Sequence, residues 1–212
     1  MRIQLDGDDF KNLIIVLQFL LIIYLIFRER IAEWRKLRLI KVFGDYGEKL
    51  VADNIDSFDA DCIFAVFHGL VGRFSSQRYE IDHLLLTHQG VVLIETKNVR
   101  GRIINKKENW FQIKRSESGK AYEREFRNPV HQIERTARIF DSFLASKGLK
   151  VAVHPVIVFS NRDTELKLTP QKVPILMLHE LEEHISNMSM DFPLSTKVLR
   201  QVEKTIRENF KT

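Results

Sequence analysis

Residues 78–99 read RYEIDHLLLTHQGVVLIETKNV, and the reading of this stretch decides the fold. Two apolar runs flank THQG at 87–90, a short polar segment ending in glycine. That pattern predicts an antiparallel hairpin. In its second strand Val91, Leu93, Glu95 and Lys97 share one face, and Val92 and Ile94 share the other. Both faces start apolar, so the strand is expected to begin inside a core and to end in two charges. A carboxylate held away from water is costly unless it is paired or binds a metal. The simplest arrangement is a local Glu95–Lys97 ion pair at a strand end.

A third residue opens another reading. The first strand carries Asp82 among Ile81, Leu84, Leu85 and Leu86. Asp82 and Glu95 lie at similar distances from the turn, so the hairpin brings them toward one another. Two carboxylates at the rim of a dry core repel unless one keeps its proton or a cation lies between them. Mg²⁺ (or Mn²⁺) suits such a place, because it takes one or two carboxylates and leaves its other positions to water and phosphate oxygens. Asp82, Glu95 and the backbone carbonyl of Thr96 make a suitable half-shell. His83 points away from Asp82 and is read as structural. Upstream, Glu48 shares a helical face with Val51, Ala52 and Ile55. It is either an acid at the margin of the apolar stripe, favoured by the helix dipole, or a further member of the polar site.

The chain around this hairpin has 212 residues, 44% hydrophobic and 29% charged, with a formal charge of +5. This is the composition of a globular domain with an appendage. A lone cysteine, Cys62, excludes an internal disulfide and a four-cysteine zinc site, and it is read as a core residue. No phosphate-binding loop or dinucleotide fingerprint occurs. HELEEH at 179–184 fails as a zinc-protease motif, because His179 and His184 are five apart and fall on different helix faces.

Residues 13–27, LIIVLQFLLIIYLIF, have no polar face. With Phe10 and Lys11 the stretch approaches the roughly 20 residues a spanning helix needs. The readings weighed are a membrane anchor, which is favoured, a fully buried core helix and a cleaved signal. An acidic start and the lack of a small-residue cleavage site speak against the last. Arg28, Arg30, Arg35, Lys36, Arg38 and Lys41 follow the run, whereas only Arg2 and Lys11 accompany its start. The positive-inside rule then places the C-terminal part in the cytoplasm, on a single-pass protein of the cell (inner) membrane. The expected organisation is a short extracytoplasmic segment at 1–12, a transmembrane helix at 13–27, a basic amphipathic helix at 28–43 and a domain at 44–212. The 28–43 helix fits a membrane interface and a plain linker equally well.

Within the domain, the expected order is a helix at 44–58, strands at 61–70, 78–86 and 91–99, and a small hairpin from GRIIN (101–105) and WFQIKR (110–115). A loop is expected through 72–77. Asn128 and Pro129 then predict a helix start, and Gly148 its stop. Strands at 151–159 and 173–178 and two closing helices complete a mixed α/β sheet flanked by helices. Pro155 implies a free strand edge or a bulge.

GEKLVADNI (47–55), EIDHLLLTHQGVVLIETKNVRG (80–101), Trp110 and RNPVHQ (127–132) together resemble the nuclease-related domain (NERD) of the PD-(D/E)xK nuclease superfamily, over roughly residues 44–140. Glu80 stands where the family pattern leads us to expect Gln. The resemblance implies a restriction-endonuclease-like core. It implies that Asp82 and Glu95 bind the metal and that Lys97 orients or activates the attacking water. It further implies that Glu48 supports the site through a water and that Gln132 lies beside the cleft. Read alone, Gln132 could equally well hydrogen-bond a strand end. Arg100, Arg102, Lys106, Lys107, Lys114, Arg115, Lys120, Arg124 and Arg127, interleaved with Trp110, Phe111, Tyr122 and Phe126, are expected either to track a nucleic-acid backbone, DNA ahead of RNA, or to form a solvated basic hairpin.

Overall fold

The computed structural model describes residues 7–58, 61, 63–115, 119–188 and 193–211. Cys62 lies outside the described residues, as do residues 1–6. The chain divides into two compact units, residues 1–43 and 44–212.

Helix α1, Gly7–Ile55, contributes to both units. In the first, its most apolar 18-residue window has a mean hydropathy of 2.3 and none of it is buried. Leu13, Phe19 and Phe27 are all exposed. By length and composition this helix is capable of crossing a membrane. The separate helices expected at 28–43 and 44–58 are one element with the apolar run. Gly44 alone, without a proline, is too weak a breaker to end it, since a helical glycine costs only about 1 kcal/mol.

The second unit contains two sheets. The larger has the strand order β1 (Ile63–Phe74), β2 (Gln77–Thr87), β3 (Gly90–Lys97), β7 (Val153–Phe159) and β9 (Ile175–Met177). The β1–β2 and β2–β3 pairs are antiparallel, and β7 joins β3 and β9 in parallel. The smaller sheet is ordered β6 (Ala121–Phe126), β5 (Asn109–Arg115), β4 (Gly101–Lys106) and β8 (Thr164–Lys167). The expected hairpin is present, with Leu84 opposite Leu93 and Leu86 opposite Val91.

Two apolar layers explain why β3 is hydrophobic on both sides. Val91 and Leu93 join the larger core with Ile133, Phe140 and Leu144 of α2 (Pro129–Ser146) and Leu199, Val202 and Ile206 of α4 (Thr196–Asn209). Val92 and Ile94 pack on the other face with Val51 and Ile55 of α1 and with Leu181 and Ile185 of α3 (Leu181–Ser186). Pro155 is accommodated as expected at a free edge. The β9 ladder reaches only Ile157–Phe159, so the outer side of β7 has no ladder partner at Pro155 among the described residues.

Three features differ from the sequence reading. The loop expected at 72–77 is the end of β1 and a two-residue turn at Ser75 and Ser76, both with positive φ (47° and 64°). Strands β6 and β8 were not anticipated. Both are short, polar and held by ladder bonds at the edges of the second sheet. Alternation also slips along β2: Tyr79 and Ile81 lie in the same core as Leu84 and Leu86, although a regular strand puts positions 81 and 84 on opposite faces. The slip coincides with the step where the β1–β2 ladder passes from His68↔His83 to Leu70↔Ile81. That step omits Asp82 and Gly69, whose φ is +62°.

Candidate active site

The β2–β3 ladder ends at the His83–Ile94 pair, and the next position presents Asp82 and Glu95. Here a side chain replaces the partner backbone: the Thr96 amide donates to Asp82 Oδ2 at 2.7 Å. In an antiparallel pair the N–H and C=O of one residue face the same neighbour, so the Thr96 carbonyl also emerges toward Asp82.

Glu95 is 4% exposed. Its Oε1 accepts from Lys97 Nζ at 2.5 Å and from Gln132 Nε2 at 2.6 Å. Lys97 Nζ also donates to Gln132 Oε1 at 3.2 Å, closing a triangle between β3 and α2. The helix start sets this geometry. The Asn128 side chain accepts from the Val130 amide at 2.9 Å, Pro129 occupies the first turn, and Gln132 follows on the side facing the strand ends. Gln132 thus bonds the side chains of Glu95 and Lys97 at the end of β3. The local Glu95–Lys97 pair is present too, within a larger set.

Glu48 approaches from α1. Its carboxyl is held above the usual range by burial, then by Asp45, Glu95 and Glu80, with Lys97 opposing. Gly47 makes the approach possible: a Cβ there would lie 2.4 Å from Asn98 Cβ and 2.9 Å from Ser160 Oγ. Asp82 is pushed up to about 8, first by burial and then by the Glu95 carboxylate, against the Thr96 hydrogen bond that favours its charged form. Three carboxylates thus crowd one lysine.

That crowding is what a divalent cation would relieve. No group of three or more Asp, Glu, His or Cys side chains poised to hold a metal occurs among the described residues. A site of two carboxylates and one carbonyl completed by water fits Mg²⁺, which rarely takes an all-protein cage. Asp82 and Glu95 each commit one oxygen to the protein bonds above, so the donor set present fits a partly hydrated hard cation.

The other expected residues are distributed as follows. His83 turns to the opposite side, where its Nδ1 lies 2.8 Å from Nδ1 of His68. Burial and His68 lower its pKa to about 3, keeping it neutral, in line with a structural role. The basic residues of β4–β6 lie in the smaller sheet, and several are already neutralised. Arg100 pairs with Asp163, Arg102 with Glu165 and Lys106 with Glu123. Lys107 occupies the β4–β5 turn, while Lys114 and Arg124 lie on β5 and β6. Lys120 precedes β6, Arg115 ends β5, and Arg127 leads into α2. Trp110 does not face bases: it is fully buried, edge-on to Phe126 at 5.9 Å. Its large apolar ring is worth more inside the core than at the surface.

Gln132 also lines a groove of about 350 Å³ between β2 and α2, together with Arg78, Arg127 and Arg135. Sequence reading missed Arg78 and Arg135 as site neighbours. The available signal was helical spacing, since Gln132 and Arg135 are three apart on one side of α2.

A family model, the nuclease-related domain, matches residues 43–160. Comparison with the curated proteins and with the solved structures gave no match. The matched span covers more than half of the chain and contains Glu48, Asp82, Glu95, Lys97 and Gln132, and with this the chain belongs to the nuclease-related domain (NERD) family of the PD-(D/E)xK superfamily.

Proposed function

We propose that the protein is a divalent-metal-dependent nuclease anchored in the cell membrane by residues 13–27, with its 44–212 domain hydrolysing DNA, or secondarily RNA, at the cytoplasmic face. The observation that carries this reading is the convergence of Asp82, Glu95, Lys97 and Gln132 where the β2–β3 ladder ends, with the Glu48 carboxylate close by. Asp82, Glu95 and the Thr96 carbonyl would hold Mg²⁺ or Mn²⁺. When bound there, the ion supplies positive charge against the negative charge that develops on the phosphoryl oxygens. Lys97, fixed by Glu95 and Gln132, orients a water for attack on phosphorus. As the water oxygen bonds to phosphorus, the P–O bond to the leaving nucleotide breaks, giving a phosphate monoester and a free hydroxyl. Glu48 orients water from the helix side, and Gln132 holds the Lys97 ammonium in place.

The anchor rests on the exposed apolar face of α1, and its direction rests on the arginines and lysines that follow residue 27. The test is incubation of the full-length chain in nonionic detergent with double- and single-stranded DNA and RNA in Mg²⁺ or Mn²⁺. Wild type is expected to cut, and Asp82→Ala and Lys97→Ala to lose at least 100-fold in rate, on the order of what one electrostatic group supplies. Equal cutting by wild type and both variants would point to a contaminant and refute the reading. One observation favours a second reading, a binding module that keeps the nuclease fold without catalysis: Glu95 Oε1 is already satisfied within the protein. That module would tether nucleic acid or a protein to the membrane; its nucleic-acid binding would be salt-sensitive and undiminished by Asp82→Ala, and it would cut nothing.

A further inference from the structure

On the smaller sheet Arg102 meets Glu165 and Lys106 meets Glu123, carboxylates of the same sheet. The guanidiniums around the β2–α2 groove are less neutralised. Among the described residues no carboxylate pairs with Arg127 or Arg135, and Arg135 donates instead to the neutral Gln77 side chain at 2.9 Å. Only Arg78 has an acid partner, Glu80 at 2.6 Å, and both of those side chains are 63% exposed. Arg73 lies directly across the ladder from Arg78, an arrangement of like charges that costs stability when nothing anionic lies between. The groove therefore carries three guanidiniums against one carboxylate, and one of its walls is Gln132, which touches both Glu95 and Lys97. Its other lining side chains offer no platform for a base, because Tyr79 is 4% exposed and its ring packs edge-on against Phe210.

From this we infer that the groove is a phosphate clamp, in which Arg78, Arg127 and Arg135 hold backbone phosphates of the nucleic-acid strand next to the one being cut. Guanidinium forks bind phosphate oxygens in bidentate fashion, and backbone contacts set position without reading sequence. The clamp rests on the reading of the acid–lysine cluster as a phosphodiesterase centre. It adds which surface receives the flanking strand, and it moves the main contact area from the β4–β6 sheet to α2 and β2.

Binding is measured with the full-length chain in detergent, in EDTA, using labelled 20-base-pair DNA and RNA duplexes between 50 and 200 mM salt. Each phosphate contact contributes a slope of about 0.9 in log K against log salt, so each one removed should spare roughly 3.5-fold of the affinity lost over that fourfold salt range. The triple variant Arg78→Ala, Arg127→Ala, Arg135→Ala should bind more weakly with a slope shallower by about 2–3. Triple replacement by Lys should restore most of the slope, because the charges return. A triple Ala variant with the wild-type slope would overturn the clamp, as would a wild type that binds neither duplex. A wild type that binds anionic phospholipid in mixed detergent micelles through the three arginines, and binds no duplex, would also overturn it, by assigning the groove to lipid. DNA and RNA arms of different slope identify the preferred strand. Cutting is scored separately with Mg²⁺: a wild type that binds with the full slope yet never cuts removes the hydrolytic reading and leaves the clamp, whereas cutting with an unchanged triple-variant slope removes the clamp alone.

Discussion

Gly47→Ala sets two effects of opposite sign against each other. Helix propensity favours alanine in a helix interior by about 1 kcal/mol. Packing opposes it. The new Cβ would lie 2.4 Å from Asn98 Cβ, where carbon atoms rest at roughly 3.5–4.0 Å. Asn98 cannot yield freely, because Asn161 Nδ2 donates to its Oδ1 at 3.0 Å and it follows directly on β3. The helix must therefore shift outward by about 1 Å, which loosens Val51 and Ile55 from Val92 and Ile94. Overpacking of this kind costs about 1–3 kcal/mol for a milder insertion, and the larger displacement here belongs at or above the upper end. The net expectation is a loss of about 2 kcal/mol or more, which at 2 kcal/mol is about 4–8 °C in Tm for a domain of this size. Trp110 is fully buried in the core, so its fluorescence in a Trp34→Phe background reports unfolding of the domain without signal from the first unit. A Gly47→Ala protein as stable as its parent, or more so, would show that propensity wins and that the close approach of α1 to the end of β3 is wrong. The same shift carries Glu48 away from Asp82 and Glu95, so cleavage should fall further than stability does.

Other outcomes follow from the same geometry. The folded pKa of Asp82 is raised from 3.8 to about 8, so the stability it contributes is fully present below about pH 4 and is lost as pH rises through about 8. Urea denaturation of the metal-free protein across that window should show the decline, and Asp82→Asn should flatten it; parallel pH profiles would contradict the crowding of carboxylates. Mg²⁺ at a hundredfold excess over its Kd should stabilise the folded domain by about 2.7 kcal/mol, and Asp82→Asn should remove that gain in a thermal-shift measurement. Asn128→Ala deletes the cap on α2 and the bond to the Glu108 carbonyl, with an expected loss of about 1 kcal/mol in urea denaturation. An unchanged midpoint would mean that the cap contributes nothing to the position of Gln132.

Local signals made much of this protein legible from its residues. The apolar runs around THQG define the hairpin, and the two-faced hydrophobicity of residues 91–94 already implies layers on both sides of the sheet. Asn128 and Pro129 mark a helix start wherever they occur before an apolar stripe. Pro155 marks a free edge because a proline lacks the amide a ladder needs. Asp82, Glu95 and Lys97 are close in sequence to one turn, so the hairpin alone brings them near. Tertiary structure decided the rest. Strands β6 and β8 are too short and polar to declare themselves, and they exist through pairing with β5 and β4. Trp110 looked available to bases until the core closed over it. The slip in alternation at Asp82 coincides with a positive φ at Gly69 in a neighbouring strand. Arg78 and Arg135 are 57 positions apart and flank one groove only because α2 packs across β2. Periodicity records which face of a segment turns inward, whereas the identity of its neighbours is settled by long-range contacts that no single segment encodes.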